Sequence, residues 1–249
     1  FLQLDCENAK ELSMKWGEKL YPFTKTGKKW ILELPFSTAV NYVQICVDGQ
    51  EVLSPDLPIA HGYCRPYNYI ELPDEEGLFE LRDVPHGTLT QEFYKSKISD
   101  NWEKLIVYLP PCVPSAGLPV LYLQHGFGES EISWSTTGKV NFLMDNLIAA
   151  GKIKPFAIVM GNGMVKQRID GELKLNRALY GQMLVEEILP MIEKKYQFGG
   201  SKEKRGMAGL SMGSVQTTRT ICAHPELFSE VGIFSGFLRD RIVGDEEHD

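Results

Sequence analysis

The chain has 249 residues, 43% apolar and 24% charged, with a net charge of -7. This is an ordinary globular balance, long enough for one large domain or two smaller ones. No run of Lys or Arg forms the basic stripe that a nucleic-acid partner needs. No stretch approaches the apolar length of a membrane span. Neither nucleic acid nor membrane is therefore expected as a partner.

The five cysteines, Cys6, Cys46, Cys64, Cys112 and Cys222, are odd in number and widely spaced, with no CxxC pair. At least one thiol must lack an intrachain partner, and most are expected to be buried as small hydrophobes. No metal site, disulfide framework or cofactor is expected. The chain begins at Phe1 with no basic n-region and no apolar h-region. A secreted or cell-surface form that has lost its signal peptide is the expectation, and a cytoplasmic form also fits. The acidic end, Gly244 to Asp249, reads as a solvated tail.

Residues 1–95 read as short strands and turns. Trp30, Leu32 and Leu34 alternate with Ile31 and Glu33, and Val43, Ile45 and Val47 alternate before Asp48-Gly49, a hairpin signal. Leu78 to Arg82 reads as another strand. Strands at this spacing predict a small β-sandwich. Trp30, set in a regular alternation, reads as core.

Residues 96–249 change period. Leu105 to Leu109, Val120 to Leu123 and Phe156 to Met160 are compact apolar runs, as buried strands should be. Val140, Leu143, Met144, Leu147 and Ile148 mark one face of a helix. A second helix covers roughly Arg177 to Tyr196, kinked or divided at Pro190. Met207 to Leu210 is a short strand, Met212 to Ala223 a helix, and Val231 to Phe234 a last strand. Strands alternating with helices predict a mainly parallel sheet with helices on both faces, an α/β fold.

Gly209-Leu210-Ser211-Met212-Gly213 fits GxSxG between that strand and that helix. Glycines on both sides permit a tight, strained turn, and the helix N-terminus favours negative charge beside Ser211. Gln124-His125-Gly126-Phe127-Gly128 closes an earlier strand. Acyl transfer needs two fixed N–H donors for the oxyanion. The amide of Met212, after the nucleophile, and that of Phe127, in the His125-Gly126 loop, are the candidates.

The segments QHGFGESEISW (124–134), GKVNFLMDNLIAAGKIKPFAIVMGNG (138–163), EEILPMIEKKY (186–196), RGMAGLSMGS (205–214) and HPELFSEVGIFSG (224–236) resemble the esterase-D-like branch of the α/β-hydrolases. That branch includes feruloyl and enterochelin-type esterases. DVPHGTLTQEFYKSK (83–97) is similar to the junction of feruloyl-esterase-like members that carry an N-terminal immunoglobulin-like domain. Gly161 departs from the pattern, since relatives usually have Pro or another side chain there. The resemblance implies an α/β-hydrolase fold preceded by a small all-β immunoglobulin-like sandwich. It also implies a serine esterase acting on feruloylated or acetylated xylan through Ser211. In this fold the acid and the His follow the serine on later strands. Those strands are expected to be missing, a C-terminal truncation that a homo-oligomer could cover at the open sheet edge. His224, ahead of Pro225, reads as a helix terminator. His61 and His86 read as structural, and His248 with Asp249 as tail.

Two other readings stay open. Tyr63, Tyr67 and Tyr69 lie in a Pro-containing loop and could stack on sugar rings, as in a non-catalytic polysaccharide binder. Lys166, Arg168, Lys174 and Arg177 could form the basic pocket of a catecholate-siderophore esterase.

Overall fold

The computed structural model describes residues 1–35 and 40–236. The acidic tail and His248 lie outside them. The chain divides into two units, Phe1–Glu80 and Leu81–Asp249.

The first unit holds β1 (Leu2–Asp5), β2 (Leu12–Trp16), β3 (Lys19–Pro22), β4 (Thr24–Thr26), β5 (Lys29–Leu32), β6 (Val40–Val47), β7 (Gln50–Val52), β8 (Ile59–Gly62) and β9 (Arg65–Glu71). They form two antiparallel sheets, β1-β5-β4 and β3-β2-β6-β9-β8, with β7 hairpinned onto β6. Leu4, Trp30 and Leu32 of one sheet share a core with Leu12, Met14, Val43 and Ile45 of the other. Trp30 is buried there, its indole N–H donating to the Cys6 carbonyl at 2.9 Å. The Asp48-Gly49 turn has φ of 49° and 82°, the left-handed pair a two-residue hairpin requires. Leu78 to Arg82 does not form a strand. Asp74 takes the Leu78 N–H on its carboxylate (2.9 Å) and the Gly77 N–H on its carbonyl (3.2 Å), so the chain turns instead.

The second unit is built on the sheet β10 (Thr88–Lys95), β11 (Trp102–Leu109), β13 (Ala157–Gly161), β12 (Val120–Gln124), β16 (Arg205–Leu210) and β17 (Glu230–Phe234), in that spatial order. Between β13 and β16 a hairpin, β14 (Lys166–Ile169) and β15 (Glu172–Leu175), stands apart. Thr88–Lys95, which the boundary at residue 95 places with the N-terminal strands, pairs residue by residue with Trp102–Leu109. It therefore belongs to the second unit. The helices are α1 (Ser133–Thr136), α2 (Val140–Ala149), α3 (Leu179–Met183), α4 (Leu189–Tyr196) and α5 (Met212–Ala223).

Alternation along the central strands sorts the core into two layers. Leu105, Val107, Tyr122 and Val159 face Leu184, Ile188 and Ile192. Ile106, Tyr108, Ile158 and Met160 face Val140 and Met144 of α2. Each such buried side chain contributes about 1.5–3 kcal/mol. A single π turn, Leu184–Ile188, joins α3 to α4 without a break. The wider turn accommodates Pro190, which has no N–H to give and would clash in a regular helix.

The thiols depart from expectation. Cys64, Cys112 and Cys222 are exposed and Cys6 and Cys46 half-buried, none of them paired. Cys64 and Cys112 have φ of 66° and 61°, turn positions that lie at the surface.

Candidate active site

Parallel register builds the site. Gln124 of β12 lies opposite Gly209 of β16, and Leu210 opposite Phe234 of β17. The loop after β12 and the turn after β16 therefore emerge side by side at the carboxyl edge of the sheet, where α/β sheets bind ligands.

Ser211 occupies φ 52°, ψ -111°, outside the populated regions for an L-residue. Such strain costs about 1–3 kcal/mol and persists only where the surroundings over-determine it. Here they do. The Ser211 N–H donates to the Phe234 carbonyl at 2.9 Å, and the Ser211 carbonyl accepts from the Ser214 N–H at 2.9 Å and the Ser214 hydroxyl at 2.6 Å. Both flanking glycines are forced by close approach. A Cβ on Gly209 would stand 2.2 Å from the Gly213 carbonyl group, and one on Gly213 would stand 2.7 Å from the carbonyl oxygens of Gln124 and His125.

The amides beside Ser211 divide clearly. Gly126 N–H donates to Glu129 Oε2 at 2.8 Å, and Gly128 N–H to Met164 Sδ at 3.4 Å. The Phe127 N–H between them donates to no acceptor among the described residues. Met212 is the first residue of α5, so its N–H is one of the orphan donors of a helix start. Phe127, Arg177, Ser211, Met212, Gln216 and Arg219 line one cavity of about 490 Å³. The Arg177 guanidinium stands 5.3 Å over the Phe127 ring.

His125 is buried, and its Nε2 accepts the Gly163 N–H at 2.9 Å. The hydrogen therefore sits on Nδ1, which donates to the Gly126 carbonyl at 2.7 Å. Burial holds the imidazole below the usual histidine range, so it is neutral and both nitrogens are engaged. His86 is engaged too, with Nδ1 at 2.9 Å from Asp145 Oδ2 and Nε2 at 3.0 Å from the Arg82 carbonyl. His224 caps α5, its N–H donating to the Thr220 carbonyl. It lines the far end of the cavity, about 20 Å of helix from Ser211. None of these three, the histidines described in this unit, hydrogen-bonds to the Ser211 hydroxyl. The described residues likewise contain no group of His, Cys, Asp and Glu that could hold a metal ion.

Gly161 has a physical reason, since a Cβ there would stand 2.7 Å from the hydroxyl of buried Tyr180. Of the basic residues singled out in the sequence, Arg177 lines the cavity, whereas Lys166, Arg168 and Lys174 stand on the β14–β15 hairpin outside its lining. Sequence reasoning missed Gln216. Its signal was a Gln inside the short helix that follows the nucleophile.

The Esterase family model ("Putative esterase") matches residues 96–244. The chain belongs to this esterase family. It is 35% identical over 213 residues to an endo-1,4-beta-xylanase/feruloyl esterase of Xylanibacter ruminicola, covering 82% of this chain and 29% of that protein. The esterase chain thus spans less than a third of that relative. A ferulic acid esterase of Anaeromyces mucronatus, solved with ferulic acid, superposes with a TM-score of 0.60 at 21% identity, over 66% of this chain and 64% of the other. An enterobactin esterase of Shigella flexneri, solved with enterobactin, gives a TM-score of 0.67 at 12% identity, over 92% and 66%. The chain has the α/β-hydrolase fold and its family membership and relatives place it on the feruloyl esterase branch. Among the described residues no helix is long and apolar enough to cross a membrane.

Proposed function

We propose that this protein is a serine carboxylic-ester hydrolase of the feruloyl or acetyl xylan esterase type, working outside the cell on plant cell-wall esters. The observation that carries the reading is the strained Ser211 turn, with Phe127 and Met212 lining the same cavity. In the proposed reaction Ser211 Oγ attacks the ester carbonyl carbon and its proton passes to a general base. The oxyanion accepts hydrogen bonds from the Phe127 and Met212 N–H groups. The C–O bond to the sugar breaks, and the alcohol leaves with the proton. Water then cleaves the acyl-enzyme, releasing the acid and restoring Ser211. His86, His125 and His224, the histidines described in this unit, do not hydrogen-bond to Ser211 and are not assigned as that base. In this fold the acid and the His follow the serine in the chain.

The 35% identity to a xylanase/feruloyl esterase favours a feruloyl ester over a siderophore. A catecholate-siderophore site would need a more basic cavity than Arg177 and Arg219 provide beside Glu186. Methyl ferulate and a catecholate ester separate the two. Hydrolysis of methyl ferulate that Ser211→Ala abolishes supports the proposal, and hydrolysis of the catecholate ester alone refutes the substrate class.

We read the first unit as immunoglobulin-like, from its two facing antiparallel sheets on one core. A second reading, polysaccharide binding without catalysis, is favoured by one feature there. Tyr63 is 69% exposed in a left-handed conformation at a hairpin tip, edge-on to Tyr67 at 6.3 Å. Retardation in a xylan gel with no ester cleavage is the result that would favour it.

A further inference from the structure

We propose that Gln216 is a positioning residue that couples the oxyanion loop to the helix carrying Ser211. The proposal rests on the ester-hydrolase reading. Two of the contacts that hold the loop from His125 to Gly128 lead to α5. At its start, His125 Nε2 accepts the Gly163 N–H at 2.9 Å. Near its end, the Phe127 ring lies under the Arg177 guanidinium. Both fasteners hang from one side chain. Gln216 Nε2 donates to the Gly163 carbonyl at 3.0 Å and to the Arg177 carbonyl at 3.0 Å. Two carbonyl acceptors fix this atom as the nitrogen. Gln216 itself sits on α5, five residues past Ser211.

The packing leaves this linkage little freedom. A Cβ on Gly163 would stand 2.3 Å from Gln124 Nε2 and 2.5 Å from Gln216 Oε1. Gln216 is buried, and its Oε1 has no hydrogen-bond partner among the described residues. An unpartnered buried amide oxygen carries an energetic cost that an apolar side chain of the same shape avoids. What the amide gives in return is its pair of N–H donors. They tie the loop bearing one oxyanion donor, Phe127, to the helix whose first amide, Met212, is the other. An oxyanion hole works only if its donors are already in place when charge develops.

The test uses Gln216→Met, which keeps the side-chain length and removes both donors. Hydrolysis of methyl ferulate should lose about 10- to 100-fold in kcat with KM changed by less than about twofold, because the loss falls on the transition state. In the same variant, amide hydrogen exchange at Gly163 and Gly128, whose N–H groups are hydrogen-bonded to His125 Nε2 and Met164 Sδ, should speed up by about tenfold. Arg177→Met, on a half-buried side chain that cannot unfold the core, releases only the Phe127 fastener and should give a smaller kcat loss. Arg177→Lys keeps the cation and should recover most of that loss. Unchanged exchange at Gly163 and Gly128, or unchanged kcat in Gln216→Met, overturns the proposal. If the wild type leaves methyl ferulate intact, the ester-hydrolase reading falls while exchange alone decides the coupling.

Discussion

A Cβ on Gly209 would stand 2.2 Å from the carbonyl carbon and oxygen of Gly213. The two ends of the Ser211 turn thus touch backbone to backbone, and this contact sets the direction in which α5 leaves the sheet. Gly209→Ala must push strand and helix apart. Overpacking of this kind costs about 1–3 kcal/mol, so the melting temperature should fall by about 2–12 °C. A calorimetric scan showing less than a 2 °C change would mean that the turn is looser than described.

His125 predicts an acid sensitivity with a definite sign. Burial lowers its folded pKa, so the imidazole is neutral in the folded state. An unfolded histidine takes up its proton at about pH 6.5. The folded chain therefore holds its full stability above that pH and loses it as pH falls through 6.5 toward the lower folded value. His125→Gln should remove this component. The denaturant midpoint measured between pH 7.5 and 5 should flatten in the variant; parallel curves for wild type and variant would contradict it.

Asp145 is a buried carboxylate on α2 whose Oδ1 accepts from the Tyr108 hydroxyl at 2.6 Å and the Gly87 N–H at 3.0 Å. Burial pushes the Tyr108 hydroxyl up, so it stays protonated and donates. Asp145→Ala strands both donors and also removes the partner of His86 Nδ1 at 2.9 Å, and should cost about 3–5 kcal/mol. Asp145→Asn keeps one acceptor and should cost about half as much. Urea unfolding at neutral pH reads the difference, and equal costs would show that charge, not acceptor count, holds this corner.

Gly161 and Tyr180 should behave as a coupled pair. Gly161→Ala brings a methyl group to 2.7 Å from the Tyr180 hydroxyl. It should cost about 1–2 kcal/mol, and Tyr180→Phe should recover part of that loss in the double variant. Additive costs in the double-mutant cycle would locate the strain elsewhere.

Much of this architecture was legible in the sequence. Met212 to Ala223 forms the helix its pattern predicted, and GxSxG falls at the strand-to-helix turn where its chemistry requires it. The sequence did not say which sheet Thr88–Lys95 joins, because a half-exposed edge strand reads alike in a sandwich and in an α/β unit. Pro190 announced a break, but nothing local revealed that one wider turn would absorb it. The fastening of the oxyanion loop was hidden for a different reason. It joins residues from four separated segments, His125, Gly163, Arg177 and Gln216, and only the sheet register brings them together.

The central claim is that Ser211 is an activated nucleophile. Fluorophosphonate labelling followed by intact-mass and peptide mass spectrometry tests it most directly. The account predicts one adduct, on the peptide containing Ser211, absent from Ser211→Ala. A wild-type protein that stays unlabelled, or an adduct on another serine, would contradict it.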